Sequence, residues 1–435
     1  MSAESAQPLI EGVPTSGRGM RRVVLERAFP ALHHRNYRLF FTGQLISLIG
    51  TWTQQVAQGW LVWTISHSAL MLGLITGAQS FPILVFGLWG GVAADRIAKR
   101  RLLIGTQLGA MILALLLAGL TFTGVVGPAH AVSSLVIVGI IAFALGIVNA
   151  FDAPARQAFV VELVGKKHLL NAISLNSSIF NAARIVGPAL AGLMIRFLGV
   201  PACFAINGLS FIPVLVGLYL IRPSRHATAV TIRGSVAGNV KESLIYVWKE
   251  PVVRDIYLSV VTVSILVFSY ASMLPLFADE ILHSGAGGYS LLTAGGGVGA
   301  LVAALSLAVI PERRRSRGAW IVLGSLGWSL AIALFALSPL LSVSVALLGF
   351  AGFAGIAFLA RANTALQTAV PDALRGRVMS IYILLLMGVA PIGAVQLGAV
   401  AHVVGAQRAL AGEAVLATVI LVILHSSRKA VRESA

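Results

Sequence analysis

Charged residues are scarce in this chain. Lysine, arginine, aspartate and glutamate make up 11% of the 435 residues, whereas hydrophobic residues make up 57%. A soluble globular domain usually carries about 25% charged residues, so this composition cannot cover the surface of a soluble protein of this length. The chain is therefore expected to lie in a lipid bilayer, whose core of about 30 Å needs about 20 apolar residues for each helix.

Cysteine and membrane-embedded acids are nearly absent. The single cysteine, Cys203, excludes an internal disulfide and a cysteine-rich metal site. The sequence contains no metal-binding cluster, nucleotide-binding phosphate loop or catalytic set, so we expect no cofactor, no use of ATP and no enzymatic activity. No acid lies in the middle of an apolar segment. These residues alone do not indicate proton coupling; if protons are used, the candidate carriers are Asp152 and the acids at the outer ends of segments, namely Asp279, Glu280 and Glu413.

Apolar blocks alternate with short polar loops along the whole chain after an arginine-rich start. We count twelve blocks, near 37–63, 70–94, 102–124, 131–151, 171–197, 200–221, 255–278, 286–310, 318–338, 340–361, 376–401 and 405–424. In lipid, blocks of this length become helices, because the backbone must satisfy its own hydrogen bonds. The predicted fold is all-α. Its predicted parts are a tail at 1–35, a six-helix bundle at 36–221, a central loop at 222–254, a six-helix bundle at 255–424 and a tail at 425–435.

The basic residues are distributed unevenly between the two sides of the membrane. The formal net charge is +17, and nearly all of the 32 lysines and arginines fall in every second loop and in the two terminal segments. This pattern is the positive-inside signal of membrane topology, so both termini are predicted to be cytoplasmic. The excess charge therefore predicts contact with anionic lipids on the cytoplasmic face and argues against a nucleic-acid partner.

The two halves of the chain resemble each other. Block 2 aligns with block 8 without a gap, and the aligned pairs are Thr76 with Thr293, Asp95 with Glu312 and Arg96 with Arg313. Weak similarity between six-helix halves is typical of transporters built from parallel repeats. We therefore expect two bundles related by a pseudo-twofold axis along the membrane normal, with a substrate site between them near the midplane.

Polar side chains form stripes on blocks 1 and 5. In block 1 they recur at steps of three and four residues, at Gln44, Ser47, Thr51, Gln54, Gln55 and Gln58. Because lipid cannot satisfy amides, such a stripe faces protein or a water-filled cavity. Block 5 continues the pattern with Asn181 and Arg184.

Arg184 is expected near the middle of the membrane, where a charged side chain costs at least about 2.5–3.5 kcal/mol on insertion scales. It therefore needs a partner. Two interpretations remain open. Arg184 contacts substrate or acts in a gate, or it is a structural arginine satisfied by amides and backbone carbonyls.

The loop after block 2 reads Gly91-Val-Ala-Ala-Asp95-Arg96-Ile-Ala-Lys99-Arg100-Arg101. It resembles the signature loop of the major facilitator superfamily, G-x-x-x-D-R-x-G-R-R, with Ala98 in place of a glycine. The resemblance implies that this loop, together with Glu312 and Arg313, latches the halves in one conformation and opens on switching. The simpler alternative is a basic loop that reflects topology alone.

Block 5 contains Arg184-Ile-Val-Gly187-Pro188-Ala-Leu-Ala191-Gly192, which resembles the Gly-Pro segment in the fifth helix of antiporters of this superfamily. Pro188 removes one backbone hydrogen bond and can kink the helix. Gly187 and Gly192 allow close helix packing, and Pro391 occupies the corresponding place in block 11. A gating hinge and an ordinary kink both remain open.

Longer stretches resemble one branch of this superfamily. They include Phe151-Asp-Ala-Pro-Ala-Arg156-Gln157 and Gln54-Gln-Val-Ala-Gln58-Gly-Trp60. The branch is that of the transmembrane secretion effectors. It implies proton-coupled export of a drug-like compound, siderophore or other metabolite by alternating access in the bacterial inner membrane.

In this superfamily helices 1, 4, 7 and 10 line the cavity, so the resemblance adds Tyr270 and Asn363 to the candidate pathway. Two alternatives remain: a permease that moves lipids or other amphiphiles, and a transporter-like sensor. The oligomeric state stays open, and a monomer is compatible with the sequence.

Overall fold

The computed structural model describes residues 30–221, 246–309 and 317–426. Apart from short turns, this part of the chain is helical, which confirms the all-α prediction. The first helices are α1 (Arg35–Ser66), α2 (Ala69–Arg96) and α3 (Lys99–Phe122). A long helical run, Ala131–Leu198, then changes direction at Gly165, whose φ of 66° is not helical. We call its two parts α4 (131–164) and α5 (Lys167–Leu198).

The remaining helices follow in the same up-and-down order. These are α6 (Val200–Leu220), α7 (Pro251–Leu266, Tyr270–Leu276 and a π-helical turn at Phe277–Ile281), α8 (Gly285–Val309), α9 (Arg317–Leu337), α10 (Leu341–Ala369), α11 (Asp372–Gly388 and Ala390–Val404) and α12 (Ala406–Ser426). Helices α1–α6 form the N-terminal half and α7–α12 the C-terminal half. The predicted domain limits stay predictions, and most of the central loop, 222–245, lies outside the described residues.

Eleven of the described helices, α2–α12, are long and apolar enough to cross a membrane. Helix α1 spans 32 residues but is not among the eleven. Its glutamines, serines and threonines lower its mean hydropathy, because the polar stripe predicted from the sequence runs along it. A total of twelve spans therefore stays a prediction.

The two halves have residues with positive φ angles at corresponding helix boundaries. His67 and His283, with φ angles of 41° and 48°, lie just before α2 and near the start of α8. Gly199 and Gly405, with φ angles of 81° and 87°, precede α6 and α12, and each of these helices has 21 residues. A left-handed backbone suits glycine, which has no Cβ to clash with the preceding carbonyl. These matches agree with the internal repeat predicted from the sequence.

Basic loop residues mark one end of the bundle, where α2 ends at Arg96 and α3 begins at Lys99. We call this the basic end, and we call the opposite end, where α1 ends and α2 begins, the far end. The halves pack together toward the far end through α2 against the second segment of α11 and through α5 against α8. Glycines allow this approach. A Cβ on Gly297 of α8 would lie 2.9 Å from the Arg184 carbonyl oxygen of α5.

Candidate functional site

A cavity of about 170 Å³ lies between the two halves, bounded by α1, α2, α7, α8 and α11. Its lining includes amides and hydroxyls, at Gln55, Gln58, Thr76, Gln79, Ser80, Ser269, Ser272 and Tyr289. Apolar surface comes from side chains such as Val62 and Phe268, and none of the lining residues is charged. A concave site with apolar walls and a few convergent polar groups is typical of small-molecule binding.

Helices α1 and α2 hold the polar wall of the cavity together. Gln58 Nε2 donates a hydrogen bond to Gln79 Oε1 over 3.1 Å. The remaining amide groups of this pair are available to a ligand that presents carbonyl, hydroxyl or amide groups. Sequence reasoning identified Gln55 and Gln58 but missed Gln79, Ser80 and Tyr289. Thr76, Gln79 and Ser80 lie at positions i, i+3 and i+4, so helical spacing alone could have placed them on one face of α2.

The rest of the predicted stripe on α1 faces elsewhere. Gln54 Oε1 accepts a hydrogen bond of 2.7 Å from Asn207 Nδ2, which fastens α1 to α6 inside the N-terminal half. Gln44 and Ser47 are buried, and the Thr51 hydroxyl donates to the Ser47 carbonyl oxygen over 2.8 Å. The structure therefore divides the stripe between a packing face and a cavity face.

Arg184 lies beside the closed contact between α5 and α8, outside the lining of the cavity. Its guanidinium carbon lies 5.8 Å from the centroid of the Trp52 ring, within the range of a cation–π interaction. Within the described ranges it makes no hydrogen bond or ion pair. A Cβ on Gly296 of α8 would lie 3.8 Å from the Tyr270 hydroxyl oxygen, and the next residue, Gly297, packs against Arg184, so α8 adjoins two residues that the sequence placed in the candidate pathway.

Two other predicted pathway residues form local hydrogen bonds. Asn181 Nδ2 donates to the Ser177 carbonyl oxygen over 2.8 Å. Asn363 Oδ1 accepts from Gln367 Nε2 over 3.0 Å. Neither asparagine lines the cavity in this conformation, and their roles in a pathway stay predictions.

The predicted latch residues separate into two groups. Lys99 Nζ pairs with Glu162 over 2.7 Å, and Arg100 donates to the Leu218 and Tyr219 carbonyl oxygens at the end of α6, over 2.6 and 2.8 Å. A cation suits the negative end of the helix dipole. These contacts lie within the N-terminal half.

Asp95 and Arg96 are exposed, and neither forms a hydrogen bond or an ion pair with the side chains that the structure describes. Glu312 and Arg313, their predicted counterparts, lie outside the described residues. A Cβ on Gly91 would meet nothing within 4 Å, whereas one on Gly90 would clash with the Ala150 carbonyl oxygen. In this stretch the close helix approach occurs at Gly90 and not at Gly91 in this conformation, and the latch role of the loop stays a prediction.

Asp95→Ala is expected to abolish transport while the protein remains in the membrane. Its carboxylate is exposed here, and substitutions at such positions usually change stability by less than about 0.5 kcal/mol. Transport of an identified substrate and the amount of protein in membranes should be measured together. Glu250→Ala, at the half-buried acid that precedes α7, is the control. Unimpaired transport by Asp95→Ala would contradict the latch hypothesis.

The predicted hinge residues differ in their surroundings. Gly187 packs against Trp52, and a Cβ added to Gly187 would lie 2.9 Å from the Ile49 carbonyl oxygen. A Cβ on Gly192 would lie 2.7 Å from Ser290 Oγ. Pro188 lies inside α5, whose backbone remains helical there. Helix α11 is interrupted at Val389, just before Pro391. The hinge roles stay predictions.

Asp152, the candidate proton carrier in the N-terminal half, is buried between α3 and α4. It accepts hydrogen bonds of 2.8 Å from Thr106 Oγ1 and from Gln107 Nε2 and pairs with Arg156. These contacts join α3 to α4 outside the cavity lining. Its role in proton coupling stays a prediction.

A hydrogen bond joins the halves directly at the far end. Trp63 Nε1, on the last turn of α1, donates to Asp279 Oδ2, on the π-helical turn of α7, over 2.8 Å. Trp63 is fully buried, and its ring lies 5.1 Å from the ring of His67. The sequence identified Asp279 as an acid at the outer end of a segment and a candidate proton carrier, and it did not predict this hydrogen bond.

Comparison with known proteins supplies the family. The family model described as transmembrane secretion effector matches residues 26–435. The chain belongs to the transmembrane secretion effector family. Members of this family are transporters of the major facilitator type, which confirms the resemblance seen in the sequence. This chain is accordingly a multi-pass membrane transporter and not an enzyme.

Curated relatives of this transmembrane secretion effector include a siderophore transporter, multidrug efflux pumps and an exporter. It is 27% identical to the staphyloferrin A transporter of Staphylococcus aureus, over 62% of this chain and 66% of that protein. It is 28% identical to the multidrug efflux pump Tap of Mycobacterium tuberculosis, over 84% and 87%. The enterobactin exporter EntS of Shigella boydii is 24% identical, over 80% and 81%.

Solved structures share the fold at low identity. The nucleoside transporter NupG matches with a TM-score of 0.70 and 11% identity, covering 90% of this chain and 98% of that one. A bacterial homologue of the iron transporter ferroportin, in an inward-facing state, matches with a TM-score of 0.68 and 15% identity, covering 91% and 99%. These likenesses establish the major facilitator fold.

Proposed function

We propose that this protein exports a small molecule across the bacterial inner membrane by alternating access, in exchange for protons. The basic end faces the cytoplasm in this proposal, because lysines and arginines are retained on that side. Relatives that carry siderophores or drugs support a substrate of that general size. The twelve-helix arrangement, with α1 as the first span, is part of the proposal.

The observation that best supports this proposal is a polar cavity between two halves that pack against each other on one side of the cavity. Glycine contacts between α2 and α11 and between α5 and α8 lie toward the far end, as does the Trp63–Asp279 hydrogen bond. Toward the basic end, Asp95 and Arg96 are exposed. This asymmetry supports a conformation that is closed to the outside and loads substrate from the cytoplasm.

The lining of the cavity favours substrates with uncharged hydrogen-bonding groups and apolar surface. Amides and hydroxyls can both donate and accept hydrogen bonds, so they suit carbonyl and hydroxyl groups without requiring a charge on the ligand. Phe268 and Val62 supply apolar contacts beside them. If a substrate carries an anionic group, Arg184 is the cation that would pair with it, although Arg184 does not line the cavity in this conformation.

The proposal is tested with a strain that lacks the protein and with strains that re-express the wild type or Arg184→Ala. Secreted metabolites, including siderophores, and sensitivity to antibiotics and dyes are compared at matched protein levels. We expect the deletion to retain one metabolite or to become sensitive to one drug class, and only the wild type to restore the difference. Restoration by Arg184→Ala as well would contradict a pathway role for Arg184.

No change with any compound, under conditions where the protein is made, would contradict export of a metabolite or drug. Purified protein in liposomes then separates the alternatives. Movement of a headgroup-labelled phospholipid between leaflets would indicate a lipid permease. Binding without movement would indicate a sensor.

Gln58→Leu is expected to raise the KM for the exported substrate about 2- to 10-fold, because one hydrogen bond contributes about 0.5–1.5 kcal/mol. Leucine keeps similar bulk but cannot bond to Gln79 or to a ligand. Initial transport rates in inverted vesicles provide the measurement. Gln407→Leu, at an exposed position near the start of α12, is the matched control. An unchanged KM in Gln58→Leu would contradict binding at this wall.

A further inference from the structure

Glu413 is a buried acid in the C-terminal half that has no visible partner. Its exposed fraction is 6%, and neither carboxylate oxygen has a hydrogen-bond partner in the part of the chain that the structure describes. It is the eighth residue of α12, about two turns from the far end of that helix. The sequence named it among several candidate proton carriers, and it does not line the cavity.

The corresponding position in the N-terminal half holds a different kind of side chain. Asn207 is the eighth residue of α6, and α6 and α12 have equal lengths and follow left-handed glycines, Gly199 and Gly405. Asn207 is also buried, but its neutral amide donates to Gln54 Oε1 and its Oδ1 lies 3.3 Å from Ser210 Oγ. The N-terminal half therefore places an uncharged, hydrogen-bonded side chain where the C-terminal half places a carboxyl group.

The surroundings offer Glu413 no counter-charge. Helix α12 packs against α7, α9 and the second segment of α11. Within the described side chains, α9 contributes no titratable group. The other titratable or charged groups on these elements and on α12 itself are Arg254, Asp255, Tyr257, Tyr270, Asp279, Glu280, His402, Arg408 and His425. None of them forms an ion pair or hydrogen bond with Glu413.

An ionised carboxylate is strongly disfavoured when it is buried without hydrogen bonds or a counter-ion, and taking up a proton removes the charge. We propose that Glu413 is a reversible proton-binding site, protonated in this far-end-closed conformation and deprotonated in another state of the cycle. The proton comes from water and returns to water, and no other bond changes. Its use in coupling rests on the proposed proton-driven export, whereas proton binding itself does not.

Proton binding is tested on the purified full-length protein with dicyclohexylcarbodiimide, an apolar reagent that adds to buried protonated carboxyl groups. The acid O–H adds across the reagent and the adduct rearranges to a stable N-acylurea, with no leaving group. We expect mass spectrometry to find the adduct on Glu413 and its yield to fall at least about tenfold as pH is raised. Glu162, which is paired with Lys99, is the internal control. No adduct on Glu413, or a yield that follows Glu162 at every pH, would overturn the proposal.

Coupling is tested separately in proteoliposomes with ethidium as the probe and an imposed pH gradient. We expect Glu413→Gln, which keeps the neutral form, to lower the gradient-driven rate at least about tenfold, and Glu250→Gln, at the residue before α7, to leave it unchanged. An equal gradient response in Glu413→Gln and the wild type would overturn the coupling role. If ethidium is not transported by the wild type, the labelling result still decides whether Glu413 binds a proton, so the two proposals fail in distinguishable ways.

Discussion

Gly73→Val is expected to reduce transport by about fivefold or more while leaving a folded protein in the membrane. Gly73 lies on α2 where it crosses α11. A Cβ there would clash with the Ala394 carbonyl oxygen and lie 3.1 Å from the carbonyl carbon and 3.3 Å from Val395 Cα. These are backbone atoms, so no side-chain rotation relieves the overlap.

The overlap acts between the halves rather than inside one of them. Overpacking typically costs about 1–3 kcal/mol, which disfavours the far-end-closed conformation by about 5- to 150-fold. Each half keeps its own contacts, so the energy needed to fold it is largely unchanged. A carrier that rarely reaches this conformation completes few cycles.

The measurement combines the transport rate with size-exclusion chromatography of the detergent-solubilised protein. Gly105→Val is the matched control, because Gly105 is exposed on α3 and a Cβ there meets nothing within 4 Å. The two variants make the same change of residue within a helix. Transport by Gly73→Val at the level of Gly105→Val would show that this contact does not form during the cycle.

Much of the fold follows from the sequence, because the bilayer leaves few choices. Long apolar blocks become helices that satisfy their own backbone. The predicted block at 200–221 corresponds closely to α6, Val200–Leu220. Helix α5 begins earlier than its block, since Lys167, His168 and the two leucines after them extend the helix at the basic end.

The candidate cavity was only partly predictable. Helical spacing placed Gln54 and Gln58 on one polar stripe, but their partners decide their roles. Asn207 of α6 hydrogen-bonds to Gln54 and keeps it in the packed interior of the N-terminal half. Gln79 of α2 hydrogen-bonds to Gln58 and keeps it at the cavity wall. Periodicity identifies the polar face of a helix, and only the tertiary arrangement shows which neighbour that face meets.

The latch shows a different limit. The sequence identifies Asp95 and Arg96 by their motif, yet their exposure depends on which conformation the two halves adopt. A single sequence encodes all the conformations of the cycle, and contacts that form in one are absent from another. The close approach at Gly90 lies within one half, between α2 and α4, so we expect it to be kept in every conformation of the cycle.

Trp63→Phe is expected to open the far end more often. The substitution keeps an aromatic ring in the buried site but removes the N–H that donates to Asp279. A hydrogen bond to a charged group contributes about 1.5–3 kcal/mol, and each 1.4 kcal/mol changes an equilibrium about tenfold. The far-end-closed conformation should therefore become about 10- to 100-fold less favoured. Because this bond joins α1 to α7, its loss acts on the relation between the halves.

Cysteine labelling measures this shift directly, because the chain has one native cysteine, which is buried. Leu72→Cys, introduced with Cys203→Ser, places a thiol at a buried position of the cavity lining near the far end. A membrane-impermeant maleimide added from outside should react faster with this thiol when Trp63→Phe is also present. Trp89→Phe, at an exposed tryptophan of α2, is the matched control. Equal reaction rates in the two variants would mean that the bond between Trp63 and Asp279 does not hold the far end closed.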